Sequence, residues 1–300
     1  MLEGNALVFQ IFHLASGGTF DKQEADLNTR YQNVTRFKKL HIGSNLYAVI
    51  SRKTLASAFR NMLYQHYDAH ARVLPYVVDA DKQGAANDQR LAEYISSPEF
   101  NIMGGLTRNG LEIIAKHANL RFTDSISLHS YSHDALFYTN AGLIKTYNKS
   151  KNDEEQAQNG IYKKEVHLSY YTFSAAMNTR FLPYDSKQSL ISMVFRTLLD
   201  GMSYTHGGVM QNTAPLIFIA AVAKRDEPTF HNSYTFRNVN GNDIIFLNDD
   251  VLKSDNFIRK DGKILGLVLD THQLRLNDAQ NIFTHYGPKG LEDFAERYGL

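Results

Sequence analysis

The chain has 300 residues, of which 43% are hydrophobic, and its formal net charge is only +1. This length and apolar content suffice for a packed core and exclude an intrinsically disordered protein. Cysteine is absent, which excludes disulfides, thiolate metal sites and cysteine nucleophiles and is compatible with a reducing compartment. No apolar run approaches the roughly 20 residues that span a bilayer, so we expect a soluble cytoplasmic protein without a membrane partner.

Apolar runs and amphipathic stretches predict a mixed α+β protein. The first apolar strand ends at the Gly17-Gly18 break, and the second ends at Ser51, which is a suitable N-cap for a helix. The apolar stripe of that helix contains Leu55 and Phe59. The predicted elements are strands over residues 6–14, 46–50, 121–129, 165–178 and 215–223, and helices over residues 51–66, 111–117, 189–203 and 291–298.

The polar stretch 148–160 (NKSKNDEEQAQNG) predicts the exposed tip of a long hairpin over residues 129–167, because strand-like aromatic segments flank it. Without insertions, the order of the elements matches a split βαβ arrangement, in which two helices back an antiparallel sheet. This ferredoxin-like α+β fold is also the platform of RNA-recognition modules. The sequence thus indicates one structural domain with insertions.

Positive charge is concentrated in residues 30–72, where eight Lys or Arg residues accompany a single acid, Asp68. Such a segment attracts a polyanion, because Lys and Arg that neutralise phosphates release condensed counterions. Within it, Ser51, Arg52 and Lys53 begin the predicted helix, where free backbone N–H groups and the helix dipole favour an anion. Nucleic acid is therefore the first partner to consider, and a solvated basic surface is the alternative.

A second candidate binding segment is the loop 205–213 (THGGVMQNT), which combines two glycines with His206, Gln211 and Asn212. Glycine-rich loops present N–H groups to phosphates, but this loop lacks the GxxxxGK[ST] signature of a nucleotide triphosphate site. Contact with RNA and an ordinary tight turn both remain open for it.

No pattern predicts a metal, a cofactor or a catalytic residue. His129 and His133 are four residues apart, but on an extended segment this spacing is too long for one ion. Asp21 and Asp26 belong to no recognisable motif, and we interpret them as solvated loop residues. HExxH, GxSxG and GxGxxG are all absent.

Several blocks between residues 17 and 230 follow one another at a characteristic spacing. They are TRFKKLHIG with YAVISRKTLASAFRNML, FNIMGGL, SISLHSYS with DALFYTN, EVHLSYYTFSAAMN, and GMSYTHGGVMQNTAPLIFIA. Together they resemble the DevR-type backbone subunit of type I-B CRISPR surveillance complexes (Cascade). The blocks match, in order, its first strand–helix junction, finger segment, start of the thumb hairpin, strand after the thumb, and Gly-Gly loop with a buried strand.

The resemblance implies a right-hand shape with a modified RNA-recognition palm, fingers and a thumb β-hairpin. Residues 1–67 and 169–300 correspond to the palm with a C-terminal segment, 68–121 to the fingers, and 122–168 to the thumb with a flanking strand. By resemblance, copies of this non-catalytic subunit stack along a CRISPR guide RNA and leave bases exposed for pairing with target DNA. The implied partners also include the large, small, guide-end-capping and guide-processing Cascade subunits.

The candidate RNA contacts come from the basic cluster and from positions that the resemblance suggests in the finger, thumb and Gly-Gly loop. They are Arg30, Arg36, Lys38, Lys39, Ser51, Arg52, Lys53, Arg60, Met103, His129, Tyr138, His206, Gln211 and Asn212. Hydroxyl, backbone N–H and cationic groups all donate to phosphate oxygens, and an aromatic ring can stack on a base beside an everted one. For Met103 and Tyr138, an ordinary core position is the alternative.

Two other functions remain open. An RNA-cleaving, metal-dependent enzyme of the same fold could use Asp26 or His41, as backbone subunits of type III complexes use a loop aspartate. A generic single-stranded RNA-binding domain outside CRISPR defence is the second alternative.

Overall fold

A computed structural model describes residues 5–17, 34–35, 37–66, 85–109, 112–132, 134–139, 141–149, 161–206 and 209–298. The strands are β1 (Ala6–Ala15), β2 (Val34–Thr35), β3 (Lys39–Ile42), β4 (Asn45–Ile50), β5 (Gly105–Asn109), β6 (Glu112–Lys116), β7 (Leu120–Phe122), β8 (Ser125–Ser127), β9 (Asp134–Thr139), β10 (Ile161–Val166), β11 (Ser169–Asn178), β12 (Ser203–His206), β13 (Val209–Asn212), β14 (Pro215–Ala223), β15 (Tyr234–Val239), β16 (Asn242–Leu247), β17 (Arg259–Lys260), β18 (Lys263–Asp270), β19 (Arg275–Leu276) and β20 (Phe283–Tyr286). The helices are α1 (Arg52–His66), α2 (Ala85–Ser96), α3 (Pro98–Met103), α4 (Ala141–Asn148), α5 (Lys187–Asp200), α6 (Asp249–Leu252), α7 (Ala279–Ile282) and α8 (Gly287–Tyr298).

The central sheet has the strand order β17-β18-β14-β1-β11-β8-β4-β3, with β20 beside β18 and β7 beside β11. The apolar strand β1 lies in the middle and pairs antiparallel with both β11 and β14. Its run of buried residues is typical of a strand that is covered on both faces. The structure thus confirms the predicted mixed α+β class with an antiparallel sheet.

Helices cover one face of this sheet. Leu55 and Phe59 from α1, Val194 and Leu198 from α5, and Phe294 from α8 belong to one buried cluster with the sheet residues of that face. The apolar stripe predicted for α1 therefore points inward, as the helical spacing indicated, and Val194 and Leu198 of α5 do the same.

Residues of the C-terminal segment cover the other face. Phe230, Ile245, Leu247 and Phe257 join Val8 of β1 in a second buried cluster. The protein's own chain therefore covers this face of the sheet at β1 and β14.

Some predicted elements were wrong. Residues 111–117 were expected to form a helix, but Glu112–Lys116 is strand β6, because it pairs in register with β5 (Gly105↔Lys116). The strand expected over 121–129 is divided into β7 and β8 around Asp124. The long hairpin was predicted correctly, since β9 pairs antiparallel with β10, but helix α4 between them was not expected.

Within the described residues, no helix is long and apolar enough to cross a membrane.

Candidate nucleic-acid interface

The start of helix α1 has the predicted N-cap. Strand β4 ends in the core at Ile50, and the Oγ atom of Ser51 accepts a hydrogen bond from the Thr54 N–H at 3.3 Å. The Arg52 N–H, which was expected to be free for a phosphate, instead donates to Oδ1 of Asp124 at 2.6 Å. The Asp124 carboxylate thus occupies one of the places at this helix start where a phosphate could bind. The exposed side chains of Arg52 and Lys53 remain the candidates for phosphate contact.

A groove lies between α1 and the hairpin β12–β13. It is a cavity of about 440 Å³, and its lining residues are Lys53, Thr54, Ser57, Ala58, Asn61, Ser203, Tyr204 and Thr205. Most of these side chains carry a hydroxyl, amide or ammonium donor, and such donors complement phosphate oxygens. The groove therefore joins two segments that the sequence suggested separately, the basic helix start and, through Thr205, the beginning of the segment 205–213.

Among the polar groove residues, only Lys53 was one of the candidate RNA contacts, and Thr205 was only part of the candidate segment 205–213. Thr54, Ser57 and Asn61 follow it at helical spacing and form a polar stripe beside the buried positions of α1. That spacing can be recognised in the sequence. The contribution of Ser203 and Thr205 cannot be recognised there, because it depends on how β12 packs against α1.

Tyr204 forms part of the groove wall and is 8% exposed. Burial raises the pKa of Tyr204 above its ordinary value, so the phenol stays protonated. Its Oη atom has no hydrogen-bond partner among the residues that the structure describes. A buried hydroxyl without a partner costs stability.

Two of the predicted phosphate contacts are already paired with carboxylates. The Lys39 Nζ atom lies 3.0 Å from Oε1 of Glu165, and the Arg60 Nε atom lies 2.8 Å from Oε1 of Glu99. Both carboxylates are buried, at 6% and 4% side-chain exposure. These pairs give both cations a role inside the protein, whereas Lys38, Arg52 and Lys53 are exposed.

Gln211 and Asn212 are engaged in local structure. Gln211 accepts the Ser16 N–H at 3.1 Å and donates through Nε2 to the Ser16 Oγ at 2.9 Å, which ties β13 to the end of β1. Asn212 Oδ1 accepts the Ala214 N–H at 2.6 Å and shapes the turn before β14. These contacts favour the tight-turn interpretation. The same hairpin exposes Met210 to 74%, an apolar side chain that the sequence reading did not single out.

Met103, the candidate finger contact, occupies the core position that was its alternative. Met103 is 8% exposed and belongs to the core on the helix side. The glycine that follows it is needed for a close approach of the protein's own backbone: Gly104 has φ +63°, and a Cβ there would lie 2.4 Å from the Lys116 carbonyl oxygen. The small residues therefore allow α3 to turn into β5, and RNA is not needed to explain them.

His129 follows strand β8 and is exposed. Its Nδ1 atom is 3.0 Å from the Ser169 Oγ, and its ring centroid is 5.0 Å from that of Phe236. Tyr138 lies in β9 opposite Tyr162 of β10, as the thumb interpretation requires, but its side chain is outside the described part of the chain. The same holds for the side chain of His206, which ends β12.

The remaining candidates lie outside the described residues. They are Arg30, Arg36, Asp21, Asp26 and His133. Among the residues that are described, no group of three or more His, Asp or Glu side chains is arranged to hold a metal ion. His41 is exposed on β3.

With this geometry established, comparison with known proteins identifies the family. The model of the family "CRISPR-associated negative auto-regulator DevR/Csa2" matches residues 28–196, more than half of the chain. The chain belongs to the DevR/Csa2 family. A search of curated proteins gives no significant match.

Two solved structures are similar to this DevR/Csa2 chain. One is described as "CRISPR RNA-guided surveillance complex, pre-nicking", with 10% identity, coverage of 76% of this chain and 81% of that chain, and a TM-score of 0.49. The other is described as "CRISPR RNA-guided surveillance complex", with 13% identity, coverage of 74% and 71%, and a TM-score of 0.45.

The DevR/Csa2 match includes α1 and the β9–β10 hairpin and ends within α5. One wall of the groove, with Lys53, therefore lies inside the matched region, and the other wall, with Ser203 and Thr205, lies beyond it.

Proposed function

We propose that the chain is a non-catalytic backbone subunit of a type I-B CRISPR surveillance complex (Cascade) and that it polymerises along guide RNA. Membership of the DevR/Csa2 family carries this proposal. The groove beside α1 supports it, because an exposed ammonium group and several hydroxyls form a surface suited to a phosphate backbone.

The parts of the fold have natural roles in such a subunit. The antiparallel order β14-β1-β11-β8, with α1 and α5 on one face, supports a ferredoxin-like palm. The β9–β10 hairpin supports a thumb that displaces a guide nucleotide, and residues 68–121, of which the structure describes 85–109 and 112–121, are candidates for the fingers. Base pairing by the guide then recognises the target DNA sequence, and the protein recognises only the shape and charge of the guide backbone. Further copies of the chain and the other Cascade subunits are the implied partners.

Copurification tests the proposal directly. The wild-type protein should carry RNA through size-exclusion chromatography and form larger species on longer guide RNA. A single-sized, RNA-free monomer that ignores added guide RNA would refute it.

The groove is tested by a double reversal, Arg52→Glu with Lys53→Glu. Both side chains are exposed, so stability should change by less than about 0.5 kcal/mol for each. Affinity for RNA should fall by orders of magnitude at low salt, and its salt dependence should become shallower. The matched control is Lys260→Glu with Lys289→Glu, two exposed lysines in the C-terminal segment, which should leave affinity nearly unchanged. Equal losses in both variants would place the RNA elsewhere.

A further inference from the structure

Residues 34–35 and 37–42, which together we call the strap, take part in two different sheets. The first part, β2, pairs in parallel with β10 of the hairpin through Lys163↔Val34 and Lys164↔Thr35. The second part, β3, pairs antiparallel with β4 at the edge of the central sheet. One short segment thus connects the β9–β10 hairpin to the central sheet.

Glu165 ties the strap to β10. This residue is 4% exposed, and both of its carboxylate oxygens are used. Oε2 accepts the backbone N–H of Phe37 at 2.8 Å, and Oε1 accepts from the Lys39 Nζ at 3.0 Å. Both donors belong to the strap, and the acceptor belongs to the hairpin strand that returns to the central sheet.

Lys39 also contacts the chain that enters the hairpin. Its ammonium group lies 4.5 Å from the ring centroid of Tyr131, which precedes β9. The Tyr131 ring is in turn 5.3 Å from that of His167, which follows β10. Lys39 therefore contacts both ends of the hairpin, Tyr131 before β9 and Glu165 in β10. These contacts lie at the base of the hairpin and are partly shielded from water.

We propose that Lys39 and Glu165 are positioning residues that fix the direction in which the β9–β10 hairpin leaves the central sheet. Charge-assisted hydrogen bonds between buried or half-buried partners are strong and directional, which suits them to set an angle between two sheets. The role of the hairpin as a thumb that reaches the next subunit rests on the proposed function. The contacts that orient the hairpin are observed in the structure and do not depend on that function.

Distance measurement between two spin labels tests the orientation. The chain has no cysteine, so Lys149→Cys, exposed beyond α4, and Tyr184→Cys, 87% exposed before α5, would carry the only labels. In the RNA-free protein the distance distribution should be narrow. Lys39→Met keeps an aliphatic stem over Tyr131 but removes the ion pair, and it should broaden or shift the distribution. Glu165→Gln should do the same.

The matched control is Lys253→Met, which removes an exposed ion pair with Asp249 of 3.0 Å, far from the hairpin in sequence. It should leave the distribution unchanged. In a Glu165→Ala variant, the Phe37 amide loses its acceptor and should exchange with solvent about tenfold faster. If Glu165 variants fail to fold, Lys39→Met still decides. Unchanged distributions in Lys39→Met, or equal broadening in Lys253→Met, would overturn the proposal.

The two proposals fail separately. If the wild-type protein does not bind guide RNA but Lys39→Met broadens the distance distribution, the proposed function is refuted and the positioning role is not. A protein that assembles on guide RNA while its hairpin geometry is insensitive to Lys39→Met refutes the positioning role alone.

Discussion

Replacement of Arg60 distinguishes two roles that a basic residue on α1 can have, an ion pair that stabilises the fold and a contact with RNA. The sequence placed Arg60 among the RNA contacts, whereas in the structure its guanidinium is paired with the buried Glu99. An Arg60→Met variant keeps the length of the side chain and removes the charge. If the pair is structural, the variant should lose stability and keep its response to salt in RNA binding.

The size of the effect follows from the exposure of the two partners. Breaking a fully buried ion pair costs about 3–5 kcal/mol, because the remaining charge has no compensation. The Arg60 side chain is 40% exposed, and Glu99 is 4% exposed, so water screens part of this interaction. We therefore expect Arg60→Met to lower the free energy of unfolding by about 1–3 kcal/mol. Adding Glu99→Gln removes the buried charge and should restore part of that loss.

Urea unfolding of the two single variants and the double variant measures the coupling between the partners. RNA titrations at several salt concentrations measure the other role, with Lys53→Met as the matched comparison on the same helix. Lys53→Met should hardly change stability but should reduce the slope of log affinity against log salt by about 0.7. If Arg60→Met unfolds like the wild type and shows that reduced slope, the assignment of Arg60 to a structural ion pair with Glu99 is refuted.

Three further predictions follow from individual positions. Gly104→Ala forces a side chain against the Lys116 carbonyl and should cost about 2–4 kcal/mol in a urea titration, whereas Gly43→Ala, with φ +60° and open space around it, should cost only about 1 kcal/mol. Burial lowers the pKa of His13 from 6.5 to about 4, so the unfolded chain binds this proton first and stability falls as the pH falls below 6.5. Urea unfolding should show a loss of about 2 kcal/mol between about pH 7 and 5, and a His13→Leu variant with the same pH dependence would contradict this cause. Replacement of residues 149–158 by a short Gly-Ser turn should leave the melting temperature nearly unchanged but impair assembly on guide RNA; a collapsed fold, or normal filaments, would reject the thumb role.

Local patterns predicted the elements whose burial is decided by their own sequence. The apolar run of β1, the helical stripe of α1 with Leu55 and Phe59, and the apolar strand β14 all agree with the structure within a few residues. Ser51 was recognised as an N-cap because serine is among the residues preferred at the start of a helix.

Long-range pairing explains most of what the sequence did not reveal. The segment 112–116 has apolar residues at a spacing that a helix or a strand can use, and only its pairing with β5 decides between them. Likewise, Lys39 resembles any exposed basic residue until its partner, 126 positions away in the chain, is known. A basic cluster thus indicates charge correctly without showing which cations are compensated.

The covered sheet bears on how the proposed backbone subunit would hold RNA. On the face opposite α1 and α5, aromatic rings of the described residues pack against one another: Phe12 packs edge-on against Tyr234 at 5.3 Å, and Tyr170 lies 5.9 Å from Phe236. Because these rings are engaged within the protein, the proposal assigns RNA to the polar groove beside α1, whose donors suit a sugar–phosphate backbone. A protein that binds only the backbone leaves the base edges free, and free base edges are what pairing between a guide and its target requires.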